Sequence, residues 1–396
     1  MITKKGSFAS LIFYLEDRIL NLFTALLRRF RPSHIPLAAL ALWLCWGTRP
    51  HTVIQPLPPP QQVITSNPLV GVHTRLTDEV ETWKVQRTMQ MVREMGASWI
   101  VEYFPWPYIE PFEDEYTWGH ADRTITYATN QGLTVIARLG WVPAWARPDP
   151  DKQQTTQTYL DAEHYEDFAE FVADFAARYR DQVEHIIIWN EPNLSFEWGY
   201  QPVDPEAYTE MLSVVYPRTH AANPDVVILA GALAPTNEPE GSPAGLSDLL
   251  YLERMYQAGA ADYFDALSAH AYGLTQPPDA APVTDTINFR RVELLREIMV
   301  AYGDEETPIY VTEAGWNDHP RWVHAVTPAQ RIVYTIGAYE WAREQWPWCP
   351  AVAIWAFRYP ASTLSYHDYY AFVTPAFEPR VIYQDIQDYA LPAASH

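Results

Sequence analysis

Eight apolar, β-rich runs alternate with amphipathic helical patterns, and this order predicts an α/β fold, a single (β/α)8 or TIM barrel. Several runs are continuously apolar, which is typical of parallel strands covered on both faces. The first run, LVGVH, is not followed by the glycine-rich turn that a doubly wound open sheet usually has. The predicted strands cover residues 69–73, 98–104, 133–141, 184–190, 226–233, 264–272, 308–316 and 351–357.

Helical patterns occupy the segments between these runs. Val85, Met89 and Val92 recur at helical spacing, and Gly96 follows them as a candidate C-terminal cap. An apolar stripe within residues 161–180 predicts a further helix. Thr327, followed by a proline, is typical of a helix N-cap with proline at the first helical position.

The composition excludes some functions. The 396-residue chain carries 27 Lys and Arg against 49 Asp and Glu, a formal net charge of -22. Nucleic-acid binding needs a basic surface, so we expect no nucleic-acid partner. Two cysteines, Cys45 and Cys349, cannot form a metal-binding cysteine pattern, and the chain has no cofactor motif. We therefore expect no cofactor, no metal site and a monomeric barrel domain.

The first 50 residues differ from the rest, with seven Lys and Arg against two Asp and Glu. Three arginines within residues 28–31 precede the apolar segment 35–46, which is typical of an export signal. The apolar stretch is shorter than the roughly 20 residues that a spanning helix needs. Both a cleaved signal and an uncleaved signal-anchor therefore remain as alternatives. We predict a signal or membrane-anchor segment (1–50), a Pro-rich linker (51–67) and an extracytoplasmic barrel (68–396), membrane-anchored or secreted.

Two glutamates follow apolar strands directly. Glu191 lies one residue past the fourth predicted run, and Glu313 lies near the end of the seventh. Active sites of (β/α)8 barrels form at the C-terminal ends of the strands, so both carboxylates are expected at the barrel mouth. Two carboxylates there are the minimum for glycoside hydrolysis, one protonating the leaving oxygen and the other attacking carbon or activating water.

The motifs WNEPN (189–193) and TEAGW (312–316) resemble those of the clan A glycoside hydrolases, over residues 68–390. FPWPYIEPFEDEYTW (104–118) and GWVPAWA (140–146) are most similar to glycoside hydrolase family 39 and its relatives, and family 5 members share much of this pattern. The resemblance implies a retaining hydrolase of a polysaccharide or oligosaccharide, with Glu191 as acid/base and Glu313 as nucleophile.

The resemblance also implies roles for other residues. Asn190 would hydrogen-bond the sugar 2-hydroxyl, Tyr272 would orient the nucleophile, and Trp355 would stack on a sugar. The further candidate sugar-binding residues are His270, Trp141, Trp316 and His73. The clan often has an arginine near the end of strand two, which is missing from WIVEYFPW. By strand parity Glu102 and Arg138 point into or near the barrel interior. They are expected either to form a structural ion pair with each other or to contact substrate in a subsite.

Six tryptophans lie near or after the ends of predicted strands and are expected to ring the mouth of an open cleft that attacks polymers internally. They are Trp106, Trp141, Trp145, Trp198, Trp316 and Trp355. The acidic body should disfavour polyanionic substrates. The alternative to an enzyme is a catalytically silent barrel that binds glycans at a cell surface. A phosphate-dependent lyase or isomerase would need a glycine-rich phosphate-binding loop. The segment AFRYPAS, at the end of the eighth run, contains no glycine.

Overall fold

The computed structural model describes residues 57, 59–148 and 156–392 and confirms the (β/α)8 barrel. Its eight strands are all parallel and close into a barrel in chain order. Each strand overlaps one of the predicted runs. The strands are β1 (Val70–His73), β2 (Trp99–Pro105), β3 (Thr134–Gly140), β4 (His185–Ile188), β5 (Val227–Leu233), β6 (Ala266–Tyr272), β7 (Ile309–Gly315) and β8 (Val352–Ile354).

Helices follow the strands and surround the barrel. In the described part of the chain they are α1 (Thr82–Glu94), α2 (Trp106–Ile109), α3 (Gly119–Asn130), α4 (Tyr165–Arg178), α5 (Pro205–Ala222), α6 (Asp248–Gln257), α7 (Val292–Ala301), α8 (Pro328–Gln345) and α9 (Val381–Ala390).

The predicted helix signals are confirmed. α8 begins at Pro328, and the hydroxyl of Thr327 accepts a hydrogen bond from the backbone N–H of Gln330 in a capping box. α1 ends two residues before Gly96, whose φ of 86° is the left-handed conformation that glycine adopts without steric cost. The stripe in residues 161–180 forms the buried face of α4.

The barrel interior is closed by an apolar layer below the mouth. Val101, Ile136, Ile187 and Leu229 are buried together in one cluster. Side chains alternate across a strand, so Arg138 lies on the same face of β3 as Ile136 but one step nearer the C-terminal end. Polar side chains at the strand ends therefore sit above a packed apolar floor.

Residues 1–50, the predicted signal or anchor segment, lie outside the described residues. The second half of the predicted linker packs on the barrel, because Gln61 and Ser66 donate backbone hydrogen bonds to Asn130 and Ala390, both at 2.7 Å. Among the helices of the described part of the chain, none has the length and apolar character needed to cross a membrane.

Candidate active site

The two glutamates meet at the barrel mouth. One oxygen of Glu191, one oxygen of Glu313 and a ring nitrogen of His270 all lie within 4.8 Å of one another. Both glutamates line a cleft of about 570 Å³, a volume that suits a small ligand or a few sugar units. The cleft is lined by His73, Arg75, Thr77, Tyr103, Arg138, Trp141, Asn190, Glu191, Leu194, Glu197, Ala234, Pro235, Tyr272, Leu274, Ile287, Glu313, Trp322, Trp355, Tyr366, His367 and Tyr370.

Glu313 is held by donors on both of its oxygens. The Nη2 group of Arg138 donates to Oε1 at 2.6 Å, and the hydroxyl of Tyr272 donates to Oε2 at 2.7 Å. Burial by itself raises the pKa of Glu313, but the charges of His270 and Arg138 and the Tyr272 hydrogen bond outweigh burial and lower the pKa. Glu313 is therefore an oriented, ionised carboxylate at neutral pH.

A register shift aligns His270 with Glu313. The pairing of β6 with β7 slips between Ala269 and His270, so that His270 lies opposite Glu313 rather than Thr312. Such bulges re-aim side chains near active sites. His270 Nδ1 then lies 2.7 Å from Glu191 Oε1 and 3.7 Å from Glu313 Oε2, so it stands between the two carboxylates.

Glu191 is fixed by its backbone. Its φ of 42° is left-handed, a conformation that costs free energy in a residue other than glycine. The Glu191 N–H donates to Ala232 O at 3.2 Å, and the Glu191 carbonyl accepts from Leu194 N at 2.9 Å. The side chain is 16% exposed, so the carboxyl reaches the cleft while His270 covers one side.

An arginine, Arg138, does contact Glu313, but it lies on β3 and not on the second predicted strand. It reaches from β3 and donates from Nη1 to Asn190 Oδ1 and from Nη2 to Glu313. Glu102 is not its partner, because the Glu102 carboxylate accepts from the Thr74 hydroxyl and the Leu76 N–H. The interpretation of Glu102 and Arg138 as a structural ion pair is therefore wrong.

His73 and Trp355 form one wall of the cleft. The His73 ring meets the Trp355 ring edge-on at 4.5 Å, and His73 Nε2 lies 3.9 Å from Glu313 Oε1. Burial lowers the pKa of His73 well below its ordinary value, and the charge of Arg138 lowers it further. His73 is therefore neutral at neutral pH. Trp355 is half-buried and donates from Nε1 to the Tyr359 hydroxyl at 2.8 Å.

The tryptophans divide into two groups. Trp141 and Trp355 line the cleft. The structure contradicts the expectation that Trp316 contacts substrate, because Trp316 is 1% exposed and donates from Nε1 to the Gln276 carbonyl at 2.8 Å. The other three expected at the mouth also pack away from the cleft lining: Trp106 and Trp198 are buried, and Trp145 packs against Trp106.

Some cleft residues carried no separate sequence signal. Glu197 lies six positions after Glu191 in the same loop, and that spacing is the one clue to it. The Trp322 ring stacks on the Tyr366 ring, with centroids 4.7 Å apart. Arg75 places its guanidinium 5.1 Å over the Trp355 ring. The loops that carry these residues are irregular, so neither helical nor strand periodicity identifies them.

Glu191, His270 and Glu313 have the donor atoms and the spacing that a metal ion could use. However, both oxygens of Glu313 already accept hydrogen bonds, one of them from a guanidinium. A cation there would lie beside the positive charge of Arg138. The arrangement therefore suits an organic substrate with hydroxyl groups better than a metal ion.

Several solved structures with a similar fold are glycoside hydrolases. A family 39 glycoside hydrolase from Bacteroides cellulosilyticus WH2 has a TM-score of 0.65 at 22% identity, over 82% of this chain and 64% of that chain. A monomeric β-xylosidase from Caulobacter crescentus CB15 has a TM-score of 0.59 at 17% identity, over 83% and 69%. A family 5 enzyme from Bifidobacterium longum has a TM-score of 0.60 at 13% identity, over 81% and 76%.

No protein-family model and no curated protein matches the chain. The chain spans 64% of the length of the Bacteroides enzyme. The comparison confirms the predicted resemblance at the level of the fold: the chain has a (β/α)8 barrel similar to the barrels of these glycoside hydrolases. Family 39 and family 5 enzymes both have this fold.

Proposed function

We propose that this protein is a retaining glycoside hydrolase that cleaves O-glycosidic bonds of a polysaccharide or oligosaccharide. The observation that carries the proposal is the pair of carboxylates, Glu191 and Glu313, with oxygens within 4.8 Å of each other in one cleft. Carboxyl groups of retaining enzymes lie about 5–5.5 Å apart, whereas inverting enzymes need about 6.5–9.5 Å to admit a water molecule. The short separation supports double displacement.

In the first step Glu313 is the nucleophile. Its Oε attacks the anomeric carbon while Glu191 donates a proton to the leaving oxygen, and a covalent glycosyl-enzyme ester forms. Arg138 and Tyr272 keep Glu313 ionised and aimed. The neutral His73 beside the nucleophile has no imidazolium proton to give to the leaving oxygen, which supports Glu191 as the proton donor.

In the second step Glu191 is the base. It removes a proton from a water molecule, whose oxygen attacks the anomeric carbon and releases Glu313 as a carboxylate. Each step inverts the anomeric carbon, so the product keeps the configuration of the substrate. Glu191 ends the cycle protonated, ready for the next leaving oxygen.

Two variants test this assignment on a glycan panel. We expect Glu313→Gln to abolish turnover. We expect Glu191→Ala to accumulate glycosyl-enzyme from an activated aryl glycoside, and azide to restore turnover with a glycosyl azide of retained configuration. Glu210→Gln, on the exposed face of α5, is the matched control and should behave as wild type. Inverted products, or full activity in Glu313→Gln, would exclude the mechanism.

We also propose that the cleft binds a chain of sugars and cleaves it internally. Trp141, Trp355 and the stacked pair of Trp322 and Tyr366 contribute aromatic rings to the lining of the cleft. Several stacking faces suit successive sugars better than a single terminal one. Early release of mixed oligosaccharides from a competent polysaccharide is expected, whereas release of monosaccharide alone would contradict internal cleavage.

The proposed location is outside the cytoplasmic membrane, anchored or secreted. The support is the charge pattern of residues 1–50, in which arginines precede an apolar segment. A reporter enzyme that works only after export, fused after Gln62, should be active in cells. Activity confined to a reporter that works only in the cytoplasm would reject this location.

A further inference from the structure

We propose that a second cavity, between the first turns of α8 and α9, binds phosphate, either free or as the phosphoryl group of a small molecule. The cavity has a volume of about 340 Å³. Its lining is distinct from that of the cleft that holds Glu191 and Glu313. The proposal concerns binding and does not depend on the proposed hydrolase activity. The cavity is lined by Asp318, Pro328, Arg331, Ile332, Pro379, Arg380, Val381 and Ile382.

Arg331 brings a buried positive charge to this cavity, although the protein as a whole is acidic. Its side chain is 2% exposed, and a buried charge is costly unless it is paired. In the described part of the chain its one carboxylate partner is Asp318, whose Oδ2 lies 3.5 Å from Nη1, beyond the length of a charge-assisted hydrogen bond. Arg331 Nη2 donates to the backbone carbonyls of Tyr370 and Ala371, which carry no full charge. The charge of Arg331 is therefore only partly compensated.

Arg380 adds a second positive charge. Among the described residues it has no ion-pair partner, and its Nε is buried without a hydrogen-bond partner. Its guanidinium lies 5.9 Å from the centroid of the Tyr369 ring. Burial, and after it the charge of Arg380, lowers the pKa of Arg331 to about 10 against the opposing charge of Asp318. Two guanidinium groups that repel each other in one cavity are stabilised by an anion that accepts hydrogen bonds from both.

The first turn of α9 lies at the same cavity. The helix begins at Val381, directly after Arg380, with no side-chain cap and no acidic residue in its first turn. The first N–H groups of a helix have no partner within the helix, and this end carries a partial positive charge. Val381 and Ile382, which line the cavity, therefore add to the attraction that the two arginines exert on an anion.

Asp318 determines which anion fits. Its Oδ1 is buried and has no hydrogen-bond partner among the described residues. An ionised carboxylate only accepts hydrogen bonds, so it repels an oxyanion that has no proton to donate. At pH 6 phosphate and about half of a phosphate monoester keep a hydroxyl, whereas sulfate has none. Phosphate can therefore donate to Asp318 while its other oxygens accept from Arg331 and Arg380.

Isothermal titration calorimetry at pH 6.0 and constant ionic strength tests this assignment on the purified protein. The probes are inorganic phosphate, sulfate, a hexose 6-phosphate and the unphosphorylated hexose. We expect saturable binding of one phosphate per chain, with sulfate bound about 10-fold more weakly because it lacks the hydrogen bond to a charged group. Tighter binding of the hexose 6-phosphate than of phosphate and hexose would identify a phosphorylated small molecule as the ligand. Equal or weaker binding would identify free phosphate.

Three variants connect the binding to this cavity. Arg380→Gln should weaken phosphate binding about 10-fold or more, because it removes a charged donor. The matched control is Arg343→Gln, which changes the net charge equally at an exposed position of α8 and should bind phosphate as wild type does. Asp318→Asn should bring the affinities for phosphate and sulfate to within about 3-fold of each other, since it removes the charge that repels sulfate. This selectivity provides an independent test if Arg380→Gln does not fold.

A folded wild-type protein that binds no phosphate would overturn the inference. An unchanged affinity in folded Arg380→Gln would place phosphate elsewhere, for example beside Arg138 in the cleft, and would overturn it as well. Equal losses in Arg380→Gln and Arg343→Gln would show a non-specific effect of charge. Equal affinities of the wild type for phosphate and sulfate would reject the role of Asp318. The hydrolase activity is tested separately, on glycosides, so its failure and the failure of this site are distinguishable.

Discussion

At the scale of the residue, three carboxyl groups share one cleft but differ in their environments. Glu313 accepts from Arg138 and Tyr272, and its pKa is lowered. Glu197 faces two other carboxylates in a buried position, and its pKa is raised to about 8. Environments that separate the pKa values of neighbouring acids are the means by which one site performs both nucleophilic and proton-transfer chemistry.

Tyr272→Phe tests the hydrogen bond to Glu313, the proposed nucleophile. Removing the hydroxyl takes a donor from the charged form of Glu313, so the pKa of Glu313 should rise. We expect kcat/KM to fall about 10-fold or more, consistent with about 1.5–3 kcal/mol for a hydrogen bond to a charged group. The acid limb of the pH–kcat/KM profile should move to higher pH.

Tyr370→Phe is the matched control. Tyr370 lines the same cleft, and its ring lies 5.8 Å from that of Tyr272, but its hydroxyl does not bond Glu313. The acid limb of the pH–kcat/KM profile of Tyr370→Phe should coincide with that of wild type. An unmoved acid limb in Tyr272→Phe would show that this hydroxyl does not hold the nucleophile in its charged form.

The lowered pKa of Glu313 predicts a pH-dependent contribution to stability. The unfolded carboxyl has a pKa near 4.5, and the folded one is lower, so the stabilisation is complete above pH 4.5 and is lost as pH falls through the folded pKa. At pH 7, Glu313→Gln should be less stable than wild type by about 3 kcal/mol, since it leaves Arg138 buried without its partner charge. Urea unfolding should show this difference shrinking towards pH 2–3. A difference in unfolding free energy between the two proteins that does not change with pH would contradict this prediction.

At the scale of the element, close packing of a strand end explains the position of Trp316. Gly273 directly follows β6, and a Cβ atom built on it would lie 2.1 Å from the Trp316 indole. The indole therefore lies against the bare backbone of Gly273, next to Tyr272. Here the tryptophan after a strand end serves packing, and it lies beside the residue that donates to Glu313.

Gly273→Ala should displace this indole. Overpacking of this kind costs about 1–3 kcal/mol, so we expect a lower free energy of unfolding in urea and a lower kcat/KM as Tyr272 shifts. Gly119→Ala is the control, because a Cβ atom at this first residue of α3 would meet nothing within 4 Å. It should be neutral or slightly stabilising. Equal stability of the two variants would argue that Trp316 moves freely.

At the scale of the whole molecule, the charge is strongly negative. Beyond residue 50 the chain carries 20 Lys and Arg against 47 Asp and Glu. Such an excess repels polyanions over a distance set by the ionic strength, about 30 Å at 0.01 M and about 8 Å at 0.15 M. The net charge therefore acts on the approach of a substrate, separately from the contacts inside the cleft.

We expect a carboxymethylated form of a competent polysaccharide to have a lower kcat/KM than its neutral parent at 0.01 M salt. The deficit should shrink as salt increases, because screening removes the repulsion, while the neutral parent should change little. Initial rates over a salt series provide the measurement. A deficit independent of salt would point to steric exclusion by the carboxymethyl groups instead.

The barrel and the two carboxylates were predictable from the sequence because their signals are local. Apolar runs and helical spacing repeat within a few residues, and Glu191 and Glu313 each follow such a run directly. The N-cap at Thr327 is likewise a pattern of neighbours in the chain.

The tertiary structure decided which side chains meet at the mouth. Arg138 and Glu313 are 175 positions apart, and their bond depends on the closure of the barrel and on the register shift beside His270. Whether a tryptophan after a strand faces the cleft, as Trp141 does, or the core, as Trp316 does, depends on how the loops pack. Loop packing brings together residues distant in the chain, so no short-range pattern encodes it.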